Sequence, residues 1–156
     1  PIKNHERLEW FIEKSVEIGI DRISFIKCER TLRKNIRIKR LNKIAITAMK
    51  QSLKTKIPII DSIIKIDNFI NSCNSKNRFI CYLDDSNNNI FNKVLNKGRD
   101  ICILIGPEGD FSEKEVDLAI SNKFESLSLG KSRLRTETAG VIACHLANII
   151  LENDKT

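Results

Sequence analysis

Two stretches of this chain gather residues whose types and spacing suit binding or catalysis. The first is Ile103-Leu104-Ile105-Gly106-Pro107-Glu108-Gly109-Asp110-Phe111-Ser112. Its glycines let a ligand approach the backbone closely, and Pro107 stiffens the turn between them. Free backbone amides and carbonyls in such a turn can read a planar base through hydrogen bonds. The same residues also describe a tight strand-to-helix turn that ends in a capping Ser112. No Gly-Lys-Ser/Thr ending marks a phosphate-binding loop, and no Gly-x-Gly-x-x-Gly marks a dinucleotide fold. The second stretch is Leu127-Ser128-Leu129-Gly130-Lys131-Ser132-Arg133-Leu134-Arg135-Thr136-Glu137-Thr138-Ala139-Gly140. It reads as a strand, a glycine, a basic loop, and then hydroxyl and acidic residues where the free amides of a helix start need partners. One reading is a Thr-capped helix with incidental arginines. The other gives Arg133, Arg135 and Glu137 a task, because they crowd the start of a helix that otherwise carries almost no charge.

The elements that must position these stretches follow from hydrophobic spacing. Leu8, Phe11, Ile12, Ser15 and Val16 recur at helical intervals, and Gly19 supplies a stop. Arg22 to Cys28 reads as a short strand, and an amphipathic helix follows from about Ile36 to Leu53, broken by Lys56-Ile57-Pro58. Asp61 is placed to cap a short helix through about Phe69, and Asn71 to Asn77 reads as a loop. Arg78 to Leu83 is a buried-type strand, followed by the turn-rich Ser86-Asn87-Asn88-Asn89. Ile101 to Ile105 is the clearest strand. Ser112-Glu113-Lys114-Glu115 has the capping-box pattern and opens a helix through about Asn122. A strand from Phe124 to Leu129 and a largely apolar helix from Thr136 or Glu137 to about Leu151 complete the chain. Strands alternating with helices predict an α/β domain with a largely parallel sheet. In such sheets ligands bind beyond the carboxyl ends of the strands, so the loops after Leu83, Ile105 and Leu129 are the informative ones.

Composition narrows the possible partners. The 156 residues suffice for one domain with a proper core, and no apolar run reaches membrane-spanning length. The start, Pro1-Ile2-Lys3-Asn4-His5, has neither an initiator Met nor a signal peptide, and reads as a piece of a longer protein. Net charge is +7, from 27 Lys+Arg against 20 Asp+Glu. Lys27, Arg30, Arg33, Lys34, Arg37, Lys39, Arg40 and Lys43 cluster with only Glu29 among them, which favours nucleic acid over a merely basic protein or a solvated helix face. Cys28, Cys73, Cys81, Cys102 and Cys144 are odd in number and widely spaced. They suggest neither a disulfide framework nor a zinc site, and so a reducing cytoplasm. Cys81 and Cys102 lie in apolar runs and read as ordinary buried thiols. His145 reads as a core histidine and His5 as a surface one. No metal cluster and no Ser/His/Asp pattern supports a hydrolase.

Taken together, the two stretches resemble the uridine-N3 methyltransferase branch of the SPOUT superfamily, which acts on 16S ribosomal RNA. Gly-Pro-Glu-Gly after a strand, followed by Leu-Gly-x-x-x-Leu-Arg-Thr-Glu-Thr-Ala, is that branch's signature. Lys14-Ser15-Val16-Glu17-Ile18-Gly19 resembles its Lys-Ala-x-Glu-Leu-Gly helix end. Ala48-Met49-Lys50-Gln51-Ser52 with Pro58 resembles its Ala-x-Glu-Gln-Ser…Pro segment. The resemblance covers essentially the whole chain. It implies a parallel-sheet α/β SPOUT domain over residues 1–156 with a C-terminal trefoil knot, and a homodimer with active sites at the subunit interface. It also implies an N-terminal PUA-like RNA-binding domain, of which the sequence carries no trace. The implied reaction is methylation of a uridine N3 in the small ribosomal subunit, with S-adenosylmethionine as cofactor and no metal or membrane involved.

By family position, Leu83, Ile105, Gly106, Pro107, Glu108, Gly109, Leu129, Gly130, Leu134, Arg135, Thr138 and Ala139 would hold the cofactor. Lys27, Arg30, Arg33 and Gln51 would meet RNA, with Arg30 nearest the site. Uridine N3 is a poor nucleophile while protonated, so the reaction needs a proton acceptor and a donor or cation for the developing anion. Arg135 is assigned the electrostatic role, and Glu137 that of base or orienting partner. The alternative is that Arg135 and Glu137 simply pair with each other. Two departures stand out: Asp110 replaces the usual second glycine, expected just outside the turn, and Lys50 replaces a Glu. A ribose 2′-hydroxyl methyltransferase of the same superfamily would carry Ser-Leu-Asn-Val-Ser in the last motif, which is absent. A non-catalytic RNA-binding module is the reading from another class, and it predicts no cofactor pocket.

Overall fold

The computed structural model describes residues 2, 4–32, 35–82 and 100–153. Helix α1 spans His5–Ile18. Asn4 starts it, its side-chain oxygen accepting the Glu6 and Arg7 amides at 2.8 and 3.2 Å. Gly19 ends it at φ +123°, donating its N–H to the Ser15 carbonyl at 3.0 Å. The expected stop is therefore real. A side chain there would also meet Asn148 Nδ2 at 2.6 Å, so the turn needs glycine twice over. The buried stripe of α1 is Leu8, Ile12, Ser15 and Val16. It packs on Leu41, Ala45 and Ala48 of α2, Ile38–Gln51. Fully burying a side chain such as Ile12 contributes roughly 1.5–3 kcal/mol.

The expected strand from Arg22 to Cys28 is split into β1, Arg22–Ile23, and β2, Ile26–Lys27. Each half takes its own parallel partner: β1 pairs with β3, Ile59–Ile60, and β2 with β4, Ile64–Lys65. Asp61 does not cap a helix. Its carboxylate accepts Arg22 Nε at 2.7 Å and Nη2 at 3.0 Å, and the Ser24 hydroxyl at 2.5 Å. A bidentate charged partner outcompetes a free helix amide, and the Arg22 hydrogen bonds hold the Asp61 carboxyl below its ordinary range. Helix α3 accordingly begins later and runs Ile66–Ser72, into the segment expected to be loop.

The remaining strands form one parallel sheet in the order β6-β5-β7. Strand β5 is Asn77–Cys81, β6 is Ile101–Ile105 and β7 is Glu125–Ser126, with Phe79 registered against Ile103 on one side and Glu125 on the other. The expected strand from Phe124 to Leu129 thus shrinks to two residues flanked by the buried Phe124 and Leu127. Helix α4, Glu113–Ser121, opens on the expected Ser112–Glu115 capping box. Helix α5, Thr136–Asn153, lies against α1 and β6. Gly140 is the close approach: a Cβ there would meet the Phe11 ring at 2.6 Å. Because the strands of this sheet are parallel, the carboxyl ends of β5, β6 and β7 lie at one end. Among the described residues no helix is long and apolar enough to cross a membrane.

Two local expectations fail. His145 is exposed, because α5 buries Ala143 and Ile150 and His145 falls on the opposite face. Cys81 and Cys102 are half-buried, and the thiol that is fully buried is Cys28.

Candidate functional site

Strand β6 delivers its chain into a turn closed by a 2.8 Å hydrogen bond from the Asp110 amide to the Pro107 carbonyl. Asp110 is therefore part of the turn and not outside it as expected. Its φ is +62°, the left-handed region that glycine adopts freely and aspartate tolerates better than most residues. That accounts for aspartate at a position where the resemblance predicts glycine. The Asp110 carboxylate folds back to accept the Phe111 amide at 2.8 Å. It also fills the space beside Gly106, where a Cβ would lie 2.8 Å from Asp110 Oδ1. Gly106 and Pro107 are buried, while Glu108 and Gly109 face solvent.

The second stretch is tied to the first by the Thr136 hydroxyl, which donates to the Gly106 carbonyl at 3.0 Å. Leu129 and Leu134 are half-buried, and Gly130, Lys131, Ser132, Arg133 and Arg135 are exposed. Gly130 has φ +111° and nothing within 4 Å of the place a Cβ would occupy. The Arg135 carbonyl accepts the Ala139 amide at 2.8 Å, the first helical bond of α5. Thr138 and Ala139 sit half-buried in the opening turns. Among the described residues the Arg135 side chain makes no hydrogen bond or ion pair.

Glu137 is different. It is 5% exposed, and its partner is Arg7 of α1 at 3.5 Å, not Arg135. A carboxylate this buried needs a cation nearby, since an uncompensated buried charge costs about 3–5 kcal/mol. Sequence reading missed Arg7, which there is only a polar residue on a helix surface. No local signal links it to Glu137; the docking of α5 on α1 makes the pair.

Arg30 lies against the glycine turn. Its Nη1 donates to the Gly109 carbonyl at 2.8 Å and to the Phe111 carbonyl at 3.3 Å, and its stem packs where a Gly109 Cβ would sit, 3.3 Å away. Glu115, buried in α4, accepts the Glu29 amide on Oε1 at 2.7 Å and the Ser112 amide on Oε2 at 2.9 Å. The glutamate half of the capping box is the firmer one, for the buried Ser112 hydroxyl has no partner at hydrogen-bond distance. Lys27 and Gln51 are exposed, and no hydrogen bond or ion pair joins either to the glycine turn among the described residues. Leu83 and Arg33 lie outside the described residues. Arg40 is ion-paired with Glu9 of α1, which removes it from the free cations of the basic stretch.

A cavity of about 510 Å³ runs between α1, α5, the Asp21–Ile26 segment and β6. Of the expected cofactor residues that are described, only Ile105 lines it, with Thr136 beside it, so the two loops and not this cavity hold the signature groups. Burial pushes the Cys28 and Cys144 thiols up to about 11 and Cys81 up to about 12. A hydrogen bond with Cys102 moves Cys73 the other way, downward. Among the described residues no group of His, Cys, Asp and Glu is placed to hold a metal.

Residues 1–148 match the family described as RNA methyltransferase domain. The chain is 31% identical over 144 residues to the ribosomal RNA small subunit methyltransferase E of Rickettsia conorii, covering 91% of this chain but only 59% of that relative's length. Among solved structures, a probable rRNA-methyltransferase from Porphyromonas gingivalis superposes with a TM-score of 0.90 at 44% identity, covering 99% of this chain and 66% of that one. A ribosomal RNA small subunit methyltransferase E from Neisseria gonorrhoeae, bound to S-adenosyl methionine, superposes at 0.87 with 27% identity, covering 97% and 63%.

Proposed function

The chain belongs to the RNA methyltransferase domain family, and from that membership we propose that it methylates N3 of a uridine in 16S ribosomal RNA, using S-adenosylmethionine. The observation that carries the reading is the Thr136–Gly106 hydrogen bond, which joins the two signature loops at the carboxyl end of β6. The residues fit such a cofactor: the turn at Gly106–Gly109 offers backbone, and the space at Gly130 is open. Ile105, Gly106, Pro107, Glu108, Gly109, Leu129, Gly130, Leu134, Arg135 (through its backbone), Thr138 and Ala139, with Leu83, would hold it. The cofactor supplies an activated methyl group, so the protein's work is positioning and charge stabilisation.

Arg135 supplies the cation for charge that develops on the uracil ring once N3 loses its proton. Its exposed side chain leaves it available to substrate. Glu137, fixed by Arg7, orients the start of α5 from which Arg135 projects; its burial and its ion pair favour that role over the base. Lys27, Arg30, Arg33 and Gln51 are the proposed RNA contacts. Residues 1–156 act as one SPOUT domain, with α5 threaded to close a trefoil knot, in a cytoplasmic homodimer. A stripe on α5 supports the dimer: Ile149 is exposed, with Ile142 and Leu146 half-buried at helical spacing.

Incubation with small-subunit ribosomal RNA and labelled S-adenosylmethionine, followed by mapping of the modified nucleotide, tests the proposal. A methyl group on uridine N3 blocks the pairing edge and stops reverse transcription, whereas a ribose methyl leaves pairing intact and resists alkali. The first result is expected. The second, or transfer to neither, would overturn the reading.

A further inference from the structure

The basic segment after β2 and the glycine turn after β6 are far apart in sequence, yet three hydrogen bonds join them. Arg30 Nη1 donates to the carbonyls of Gly109 and Phe111, at 2.8 and 3.3 Å. The third bond is donated from the same segment: the Glu29 amide donates to Glu115 Oε1, at the start of α4, at 2.7 Å. Glu115 is 6% exposed, and its second oxygen is occupied by the Ser112 amide. One buried carboxylate therefore ends the glycine turn, starts α4 and grips the backbone one residue before Arg30. A helix cap needs only one of those oxygens, and glutamine serves as well as glutamate at this position of a capping box. The second oxygen does something the cap does not require.

We propose that Glu115 is a positioning residue for RNA: through the Glu29 amide it fixes the Arg30 segment against the cofactor turn. The inference rests on the function proposed above. Hydrogen bonds to a buried carboxylate are among the stronger ones, so the bond is suited to ordering a backbone segment. Arg30 then reaches the turn from a fixed starting point, without first having to order its own backbone.

Glu115→Gln isolates this role, because glutamine keeps an acceptor for the Ser112 amide but turns an N–H₂ toward the Glu29 amide. The variant should raise KM for small-subunit ribosomal RNA about tenfold, with kcat within about twofold, thermal stability within a few degrees and a much smaller loss of S-adenosylmethionine affinity than of RNA affinity. Glu115→Ala should lose the cap as well and melt earlier. In a double-mutant cycle, adding Glu115→Gln to Arg30→Ala should change KM little further, because one residue acts through the other. Unchanged KM in Glu115→Gln, equal losses of RNA and cofactor binding, or full additivity with Arg30→Ala would each overturn the proposal. Should Glu115→Gln fail to fold, Glu115 is structural and the proposal falls. A wild-type chain that binds this RNA but not S-adenosylmethionine would remove the methyltransferase reading, leaving the Glu115 test intact with RNA affinity as its readout. A chain that binds the cofactor but no RNA would do the reverse.

Discussion

The two signature loops are built in opposite ways. The turn from Gly106 to Ser112 is tied down at nearly every residue: Asp110 closes it, Arg30 braces it, Thr136 anchors Gly106, and Glu115 seals its end. The loop from Gly130 to Arg135 exposes its cations, and among the described residues its side-chain hydrogen bonds are local ones between Ser128 and Gly130. A preorganised turn suits a ligand of fixed shape, since little ordering remains to oppose binding. Exposed arginines suit a large polyanion whose phosphates they can neutralise. We propose a division of labour: the first turn faces the cofactor, while the second loop borders it with backbone and turns its exposed side chains to substrate.

The largest expected effect comes from the open loop. Arg135→Ala should lower methyl transfer by roughly 10²–10³-fold with cofactor affinity changed little, since its side chain is exposed and makes no hydrogen bond or ion pair among the described residues. Single-turnover rates beside calorimetric affinities measure both. If Arg135→Ala instead lost cofactor binding and kept its rate, the division of labour would be broken.

A pair of glycine substitutions sharpens the comparison at the next level. Gly106→Ala drives a Cβ to 2.8 Å from Asp110 Oδ1, and the rearranged turn should lose cofactor affinity by about tenfold or more. Gly130→Ala meets no atom within 4 Å but strains a φ of +111°, so the expected cost is about 1–2 kcal/mol of stability, read by urea denaturation. The smallest effect is expected at Asp110→Gly. Glycine relieves the left-handed backbone and forfeits the bond to the Phe111 amide, leaving stability within about 1 kcal/mol.

Features governed by neighbours in sequence were legible before the structure. The Gly19 stop, strand β6 and the capping box at Ser112 all appear where the pattern put them. The split at Ser24–Phe25 was not legible, because two different parallel partners impose it from outside. Asp61 has the right type and place for a cap, and only the distant Arg22 diverts it. The site shows the same boundary. Both loops could be marked from their glycines and arginines, and Arg30 from its charge. The Arg7–Glu137 and Glu29–Glu115 contacts join residues with no shared pattern, so they emerged only with the packing of α5 on α1 and of α4 near β2. His145 marks the limit of composition as a guide, since even a largely apolar helix keeps one face to solvent.

The most direct test of the account is calorimetric titration of this chain with S-adenosylmethionine, with S-adenosylhomocysteine as a second ligand. Saturable binding near one site per chain, weakened by Gly106→Ala and kept by Arg135→Ala, is the expected result. A folded chain that binds neither ligand would contradict it and leave the two loops as parts of an RNA-binding module without a cofactor.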